Sequence, residues 1–268
     1  MPNRFLSVLA DGAEYVDLSH PLESSIPTSP NHVGFKLALQ RRHGDVVRPD
    51  GSSGASEVII TGGHIGTHID ALSHISFQGL LHGGVDAAAA QRSGRFEALG
   101  AETIAPFFCR GILLDVAKHL GEDVLVGGYE ITAEDLAGSA KRAGVEIRRG
   151  DVVLIRTGWA QYWSRAEQYL GLDSGVPGIG PTAAEWLAAR GPRAVGGDTT
   201  AVECLPPGQG TRLLPVHKLL IVDNGIHLIE HVNLEPLRDK DRNEFLFVLI
   251  PLRIVGATGS PVRPLAVY

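Results

Sequence analysis

Apolar and polar positions alternate through Phe35, Leu37 and Leu39, with Lys36, Ala38 and Gln40 between them, the period-two pattern of a half-buried strand. Short apolar runs predict further strands over 14–18, 58–60, 107–116, 151–156 and 193–196, several of them rich in β-branched residues. The segment 41–56, with RRHGD and GSSG inside it, reads as an exposed excursion. Two stretches carry helix signals instead. The first, 132–143, opens on Thr132 as N-cap with Glu134 and Asp135 in the first turn; the second, 181–189, stops before Gly191-Pro192. Apolar segments 216–221, 226–229 and 245–250 follow, separated by Asp223-Asn224-Gly225 and by the charged, solvated stretch 238–244. Strand, helix and strand recur in turn without any internal repeat, which predicts an α/β fold in a single domain covering 1–268.

Composition narrows the class. The chain is 44% hydrophobic, and its 33 glycines and 16 prolines suit a globular protein with many tight turns. Lys and Arg number 24 against 30 Asp and Glu, a net charge of -6, so no basic field exists to draw in nucleic acid. Two cysteines, Cys109 and Cys204, are too few for a disulfide framework and lack the close spacing of a thiolate metal site, which points to a reducing compartment. The opening MPNRFLSVLADGAEYVDLSH has no apolar core followed by a cleavage site, and no run approaches the roughly 20 apolar residues of a membrane span. A cytoplasmic protein with no membrane partner is the expectation.

The chemistry concentrates in GGHIGTHIDALSHIS, residues 62–76, which holds His64, His68, Asp70 and His74. In an extended strand, residues four apart lie about 13 Å from one another, too far for both imidazoles to reach one ion at about 2.1 Å. The backbone must therefore bend between His64 and His68. Gly66 permits that bend, and glycines at 62, 63 and 66 argue against a regular helix. Two imidazoles and a carboxylate suit zinc and also manganese; metal-free acid-base chemistry and ordinary packing of histidines are the other readings.

This segment resembles the signature of the cyclase-like metal hydrolase family, which includes bacterial kynurenine formamidases and isatin hydrolases. The resemblance continues through DLSHPLE, RGILLDVA, DVVLIRTGW, VHKLLIVDNGIHLIE and GATGSPVRPLA. It implies that His64, His68 and Asp70 bind metal and that His74 transfers protons. It also implies that His217 and Glu230 complete a second position, with Asp70 bridging, so that one or two Zn2+ or Mn2+ ions bind per chain. The implied fold is the swivelling β/β/α architecture, in a homo-oligomer whose neighbouring chain helps enclose the pocket. The implied activity is hydrolysis of a small amide, an arylformamide or a lactam; a metal-stabilised binding or scaffold protein is the competing reading. Leu72 stands where the family often has proline, and Ile75 where it often has an aromatic residue. His217 and Glu230 stand 13 positions apart (230 − 217), one more than in the bacterial kynurenine formamidases.

Other residues have two readings each. Trp159 and Trp163, four apart, either share a helical face in the core or wall a planar substrate together with Phe77. Asp198 and Glu203 read as supports for a metal site or as loop charges. Arg156-Thr157 is placed to organise carbonyl groups, Thr67 to orient a ligand or bond the local backbone, and His20 and His32 are read as ordinary loop residues.

Overall fold

The structure, a computed structural model, describes residues 12–240 and 242–268. Residues 1–11, most of the stretch read above as carrying no export signal, lie outside the described residues. A nine-stranded mixed sheet organises the chain. Its strands are β1 (Tyr15–Asp17), β2 (His68–Asp70), β3 (Phe107–Asp115), β4 (Val152–Arg156), β5 (Ala194–Gly197), β6 (His227–Glu230), β7 (Glu244–Leu249), β8 (Gly259–Pro261) and β9 (Leu265–Val267). They are ordered β1-β9-β7-β3-β4-β5-β6-β2-β8. The centre, β3 to β6, is parallel, and both wings are antiparallel.

Strands buried on both faces have to be apolar throughout, which is what VVLIR in β4 and ILL in β3 provide. Alternate side chains divide between two cores. Ile112, Leu114, Val153, Ile155 and Leu228 pack against the helices on one face, while Leu113, Leu154 and Ile229 meet Phe107 and Phe247 on the other. Helix α1 (Ala133–Ala143) buries Leu136 and Ala140, and α2 (Pro181–Ala188) buries Ala183, Ala184 and Leu187. Thr132 and Asp135 form a reciprocal capping box at the start of α1, so the sequence signal and the observed boundary agree. The apolar segment 216–221 becomes a helical turn, Pro215–His217, that widens into π-helical turns over Lys218–Asp223.

The alternation at 35–39 marks a strand without the half-burial expected of it. Lys36–Arg41 pairs with Ser56–Ile60 in a separate antiparallel hairpin, and nothing else in the described chain covers it. Leu37 and Ile59 are each 54% exposed, and Leu39, Val58 and Ile60 are similarly bare. Among the described residues no helix is long and apolar enough to cross a membrane.

Two buried charges tie the carboxyl ends of the parallel strands together. Arg156, 1% exposed, donates to Asp115 at 3.0 Å, to both Glu235 oxygens at 2.8 and 3.1 Å, and to the Asp123 carbonyl at 3.3 Å. Asp198, just beyond β5, accepts from Thr157 N and Oγ1 and from Gly158 N. Burial lifts its carboxyl to about 6, with the Thr157 donors and Arg156 pulling the other way. Because the folded value lies above the ordinary 3.8, this group's contribution to stability is fully present below pH 3.8 and is lost as pH rises through 6. Urea titrations from pH 4 to 7 should show wild type losing about 2–3 kcal/mol relative to Asp198→Asn over that window. Parallel stability curves would contradict it.

Candidate metal centre

Strand β2 sets the site. His68 and Asp70 are two apart and so share a face, and the antiparallel register places Glu230 of β6 directly opposite His68. The chain reaches β2 through a run of bends in which Gly66 takes φ +60°, the turn between His64 and His68 that the spacing demands. The ligand loop therefore precedes a strand of the main sheet rather than simply ending the 56–60 strand, which belongs to the hairpin. His64 lies against β8, where a Cβ on Gly259 would come within 2.6 Å of its Cε1. His217 enters from the helical turn after Pro215.

All six residues singled out by sequence converge. His64 Nδ1 lies 2.8 Å from Asp70 Oδ1, without the alignment of a hydrogen bond, and His68 Nε2 lies 3.6 Å from the same oxygen. The Glu230 carboxylate stands 3.3 Å from both His68 Nε2 and His217 Nε2, and His217 Nε2 is 3.9 Å from Asp70 Oδ2. The His74 ring centroid is 4.0 Å from that of His64 and 6.0 Å from that of His217. Three groups have ligand atoms within 4.8 Å of one another: His64, Asp70 and His74; His68, Glu230 and His231; Asp70, His217 and Glu230.

Outer contacts fix the rings. His68 Nδ1 donates to the Gly66 carbonyl at 2.8 Å, which leaves its Nε2 facing the cluster. Glu203, 1% exposed, accepts from the backbone of Val216 and His217 and holds His217 Nδ1 at short range. Its sequence reading as a support for the cluster is the one the geometry favours, and a carboxylate behind a histidine orients the ring and raises its basicity. Asp198 instead braces the 157–158 turn.

Burial favours neutral groups, yet the cluster keeps charge. It works to raise Asp70, but His74, His64 and His68 reverse that and hold the carboxyl well below the usual range. Burial and Asp70 likewise oppose ionisation of Glu230, which His217 and His68 bring down to about 2. Burial lowers His217, and Glu203 with Glu230 override it, pushing the imidazole up to about 10. Burial, reinforced by His64 and His217, takes His74 down to about 4 against Asp70's pull. Its ring is thus neutral at pH 7.

The cluster floors a cleft of about 410 Å3. Ile75, Leu170, Leu205 and Leu214 line its walls, and His32 stands at its mouth, 5.4 Å from the His64 ring. Neither tryptophan lines it. A 3-10 turn over Trp159–Tyr162 replaces the α-helix that would have given Trp159 and Trp163 a common face. Trp159 is buried with its indole N–H on the Tyr169 carbonyl, and Trp163 stacks on buried His20 at 3.8 Å. Phe77 is half exposed beneath Lys218, outside the cleft. Thr67 serves distant backbone, donating to the His231 carbonyl and accepting from His20 N.

The sequence reading missed His231, which lines the cleft. Next to Glu230 in an extended strand, it would point to the opposite face. A left-handed backbone, φ +53°, turns it back, and no pattern of residue types announces that kink.

Comparison with known proteins agrees with this architecture. The isatin hydrolase of Roseibium aggregatum is 29% identical over 226 residues, 81% of this chain and 76% of its own. The kynurenine formamidase of Bacillus cytotoxicus is 24% identical over 251 residues, 94% of this chain and 96% of its own. A crystal structure described as a novel cyclase superposes with a TM-score of 0.86 at 30% identity, covering all of this chain and 93% of that one. The cyclase family model matches residues 16–204, which takes in the His64 to His74 segment and most of the parallel sheet. On that match and on the fold, the chain belongs to the cyclase family of metal-dependent hydrolases.

Proposed function

We propose that this protein is a metal-dependent amidohydrolase that opens the carbon-nitrogen bond of a small amide or lactam. One observation carries the reading. His68 Nε2, Asp70 Oδ1 and Oδ2 and Glu230 Oε1 are buried, face one another and have no hydrogen-bond partner. Unsatisfied buried polar atoms are costly, and a divalent cation satisfies all four at once. His64, His68, Asp70, His217 and Glu230 would hold it, a mixed nitrogen and oxygen set that suits Zn2+ or Mn2+. The two Asp70 oxygens face different partners, His64 and His68 on one side and His217 on the other, an arrangement compatible with one ion or two.

When bound, such an ion polarises a carbonyl and acidifies water. The protein's own groups do the rest. His74 is neutral at pH 7 and can accept a proton and pass it to the departing nitrogen. Asp70 and Glu230 keep the negative charge that retains the cation. The aliphatic walls limit water around the bond. An arylformamide or a lactam is the substrate class, on the names of the kynurenine formamidase and isatin hydrolase relatives.

Chelation followed by measurement of both folding and turnover tests this. Metal-replete protein is expected to release carboxylic acid from a panel of small formamides, lactams and esters, and chelation to abolish that release with the circular dichroism unchanged. No acid above the uncatalysed rate, with collapse of the fold on chelation, would favour a structural metal and a scaffold function.

A homo-oligomer belongs to the same reading. A two-stranded hairpin is marginal alone in water, and this one bares aliphatic side chains on both faces, as a surface covered by a second copy does. Light scattering should return a multiple of the chain mass, and Leu37→Lys with Ile59→Lys should reduce it. A monomeric mass for wild type sinks the idea. A cytoplasmic location fits the two free thiols, Cys109 and Cys204, and the acidic net charge of -6 gives no attraction for nucleic acid.

A further inference from the structure

The backbone of His231 is held in its left-handed conformation from both sides. Its N–H donates to the Thr199 carbonyl at 3.0 Å, and its own carbonyl accepts from Thr67 Oγ1 at 2.6 Å. Left-handed backbone in a non-glycine residue costs energy and persists where surrounding contacts over-determine it. Here it brings an imidazole into the cleft beside His68 and Glu230.

Hydrogen bonding then decides which ring nitrogen carries the proton. The Tyr169 hydroxyl lies 3.0 Å from His231 Nδ1 and 3.2 Å from the Asp198 carbonyl. A carbonyl only accepts, so the single phenol proton goes to Asp198 and the phenol oxygen accepts from Nδ1–H. The neutral ring therefore presents Nε2 as a bare acceptor. The ring's hydrogen bond among the described residues is the one at Nδ1, and His231 lines the cleft. Tyr169 stacks on one face of the ring, and the edge of Trp163 packs near it, so its orientation is fixed.

Position adds a second argument. His74 groups with His64 and Asp70, whereas His231 groups with His68 and Glu230, and the two sets share no residue. At an amide nitrogen undergoing cleavage, the N–H and the developing lone pair point in different directions. The group that delivers a proton and the group that holds the existing N–H must then be two separate groups, as His74 and His231 are.

We propose that His231 contacts the substrate, its Nε2 accepting the N–H of a secondary amide or lactam, and thereby selects N–H-bearing substrates over their N-alkylated counterparts. This rests on the amidohydrolase reading above. Tyr169 is a positioning residue that sets the tautomer.

The test is calorimetric binding to metal-replete protein of two probe pairs, isatin with N-methylisatin and 2-piperidinone with 1-methyl-2-piperidinone, with acid release followed on the same samples. Wild type should bind the N–H member of a pair about tenfold more tightly, the scale of one hydrogen bond. The preference should fall in Tyr169→Phe, where the ring remains but its tautomer is free. It should also fall in His231→Asn, where the new residue tolerates the left-handed backbone. Metal content should match wild type in both. Exclusion of the methyl group by bulk alone would persist in Tyr169→Phe and would overturn the proposal. So would equal affinities within each wild-type pair, no binding of either pair at millimolar concentration, or loss of metal from His231→Asn. A pair preference without acid release would sink the hydrolase reading and leave the His231 contact standing. Acid release without a pair preference would overturn the contact alone.

Discussion

Asparagine in place of His74 is expected to lower kcat by about 10²- to 10⁴-fold, the usual contribution of a positioned proton-transfer group, while the protein stays folded and metal-replete. In the proposed centre the other five residues of the cluster supply the ligand atoms, which leaves His74 for another role. Its ring lies 4.0 Å from His64 and opens on the cleft. Burial keeps the imidazole neutral at pH 7, the state a proton acceptor needs. His74 also groups with His64 and Asp70, so the metal content of the variant must be measured alongside turnover. Metal stoichiometry, circular dichroism and the pH profile of kcat should come from one preparation. A metal-replete, folded His74→Asn enzyme with wild-type kcat at every pH, on a substrate whose chemical step limits turnover, would exclude His74 as the proton carrier.

Arg156→Leu is expected to destabilise the fold by about 3–5 kcal/mol, the cost of breaking a buried ion pair by removing one partner. Leucine would leave Asp115 and Glu235 without their cation at the end of β4, and Asp115 is itself buried. The comparison that isolates the charge is the double variant Arg156→Leu with Glu235→Gln, which should recover part of the loss. Equilibrium urea unfolding measures both. A single variant within 1 kcal/mol of wild type would mean that the guanidinium does not govern this end of the sheet.

Much of the architecture was legible because local rules and tertiary packing agree there. VVLI at 152–155 had to be a buried strand, Thr132 and Asp135 announced the start of α1, and Gly191-Pro192 ended the region of α2. The 35–39 strand was legible as a strand only. Alternation reports which side chains share a face, and it is silent on whether anything covers that face.

The site divides the same way. His64, His68, Asp70 and His74 lie within 11 consecutive positions, so spacing and chemistry alone forced the bend at Gly66. His217 and Glu230 were identified only through the family resemblance, because a sheet register sets Glu230 opposite His68 and a helical turn brings in His217, both from segments far away in sequence. Glu203 was left between two readings, since its contact with His217 is tertiary. His231 was hidden by a single backbone angle, and the cleft walls by a 3-10 turn that sends both tryptophans elsewhere.

The π-helical turns over Lys218–Asp223 have a consequence for how this centre tolerates change in chain length. A π bulge takes up one extra residue within a helix, and such bulges gather at functional sites. The widened turns lie in the interval between His217 and Glu230, two residues of the cluster. A one-residue change in length there would be taken up as a local swelling of the helix, with Leu220 and Ile221 in the core and both ends of the interval reaching the cluster. The segment is thus built as an expansion joint, a stretch that could lengthen or shorten by a residue while His217 and Glu230 keep their places in the cluster.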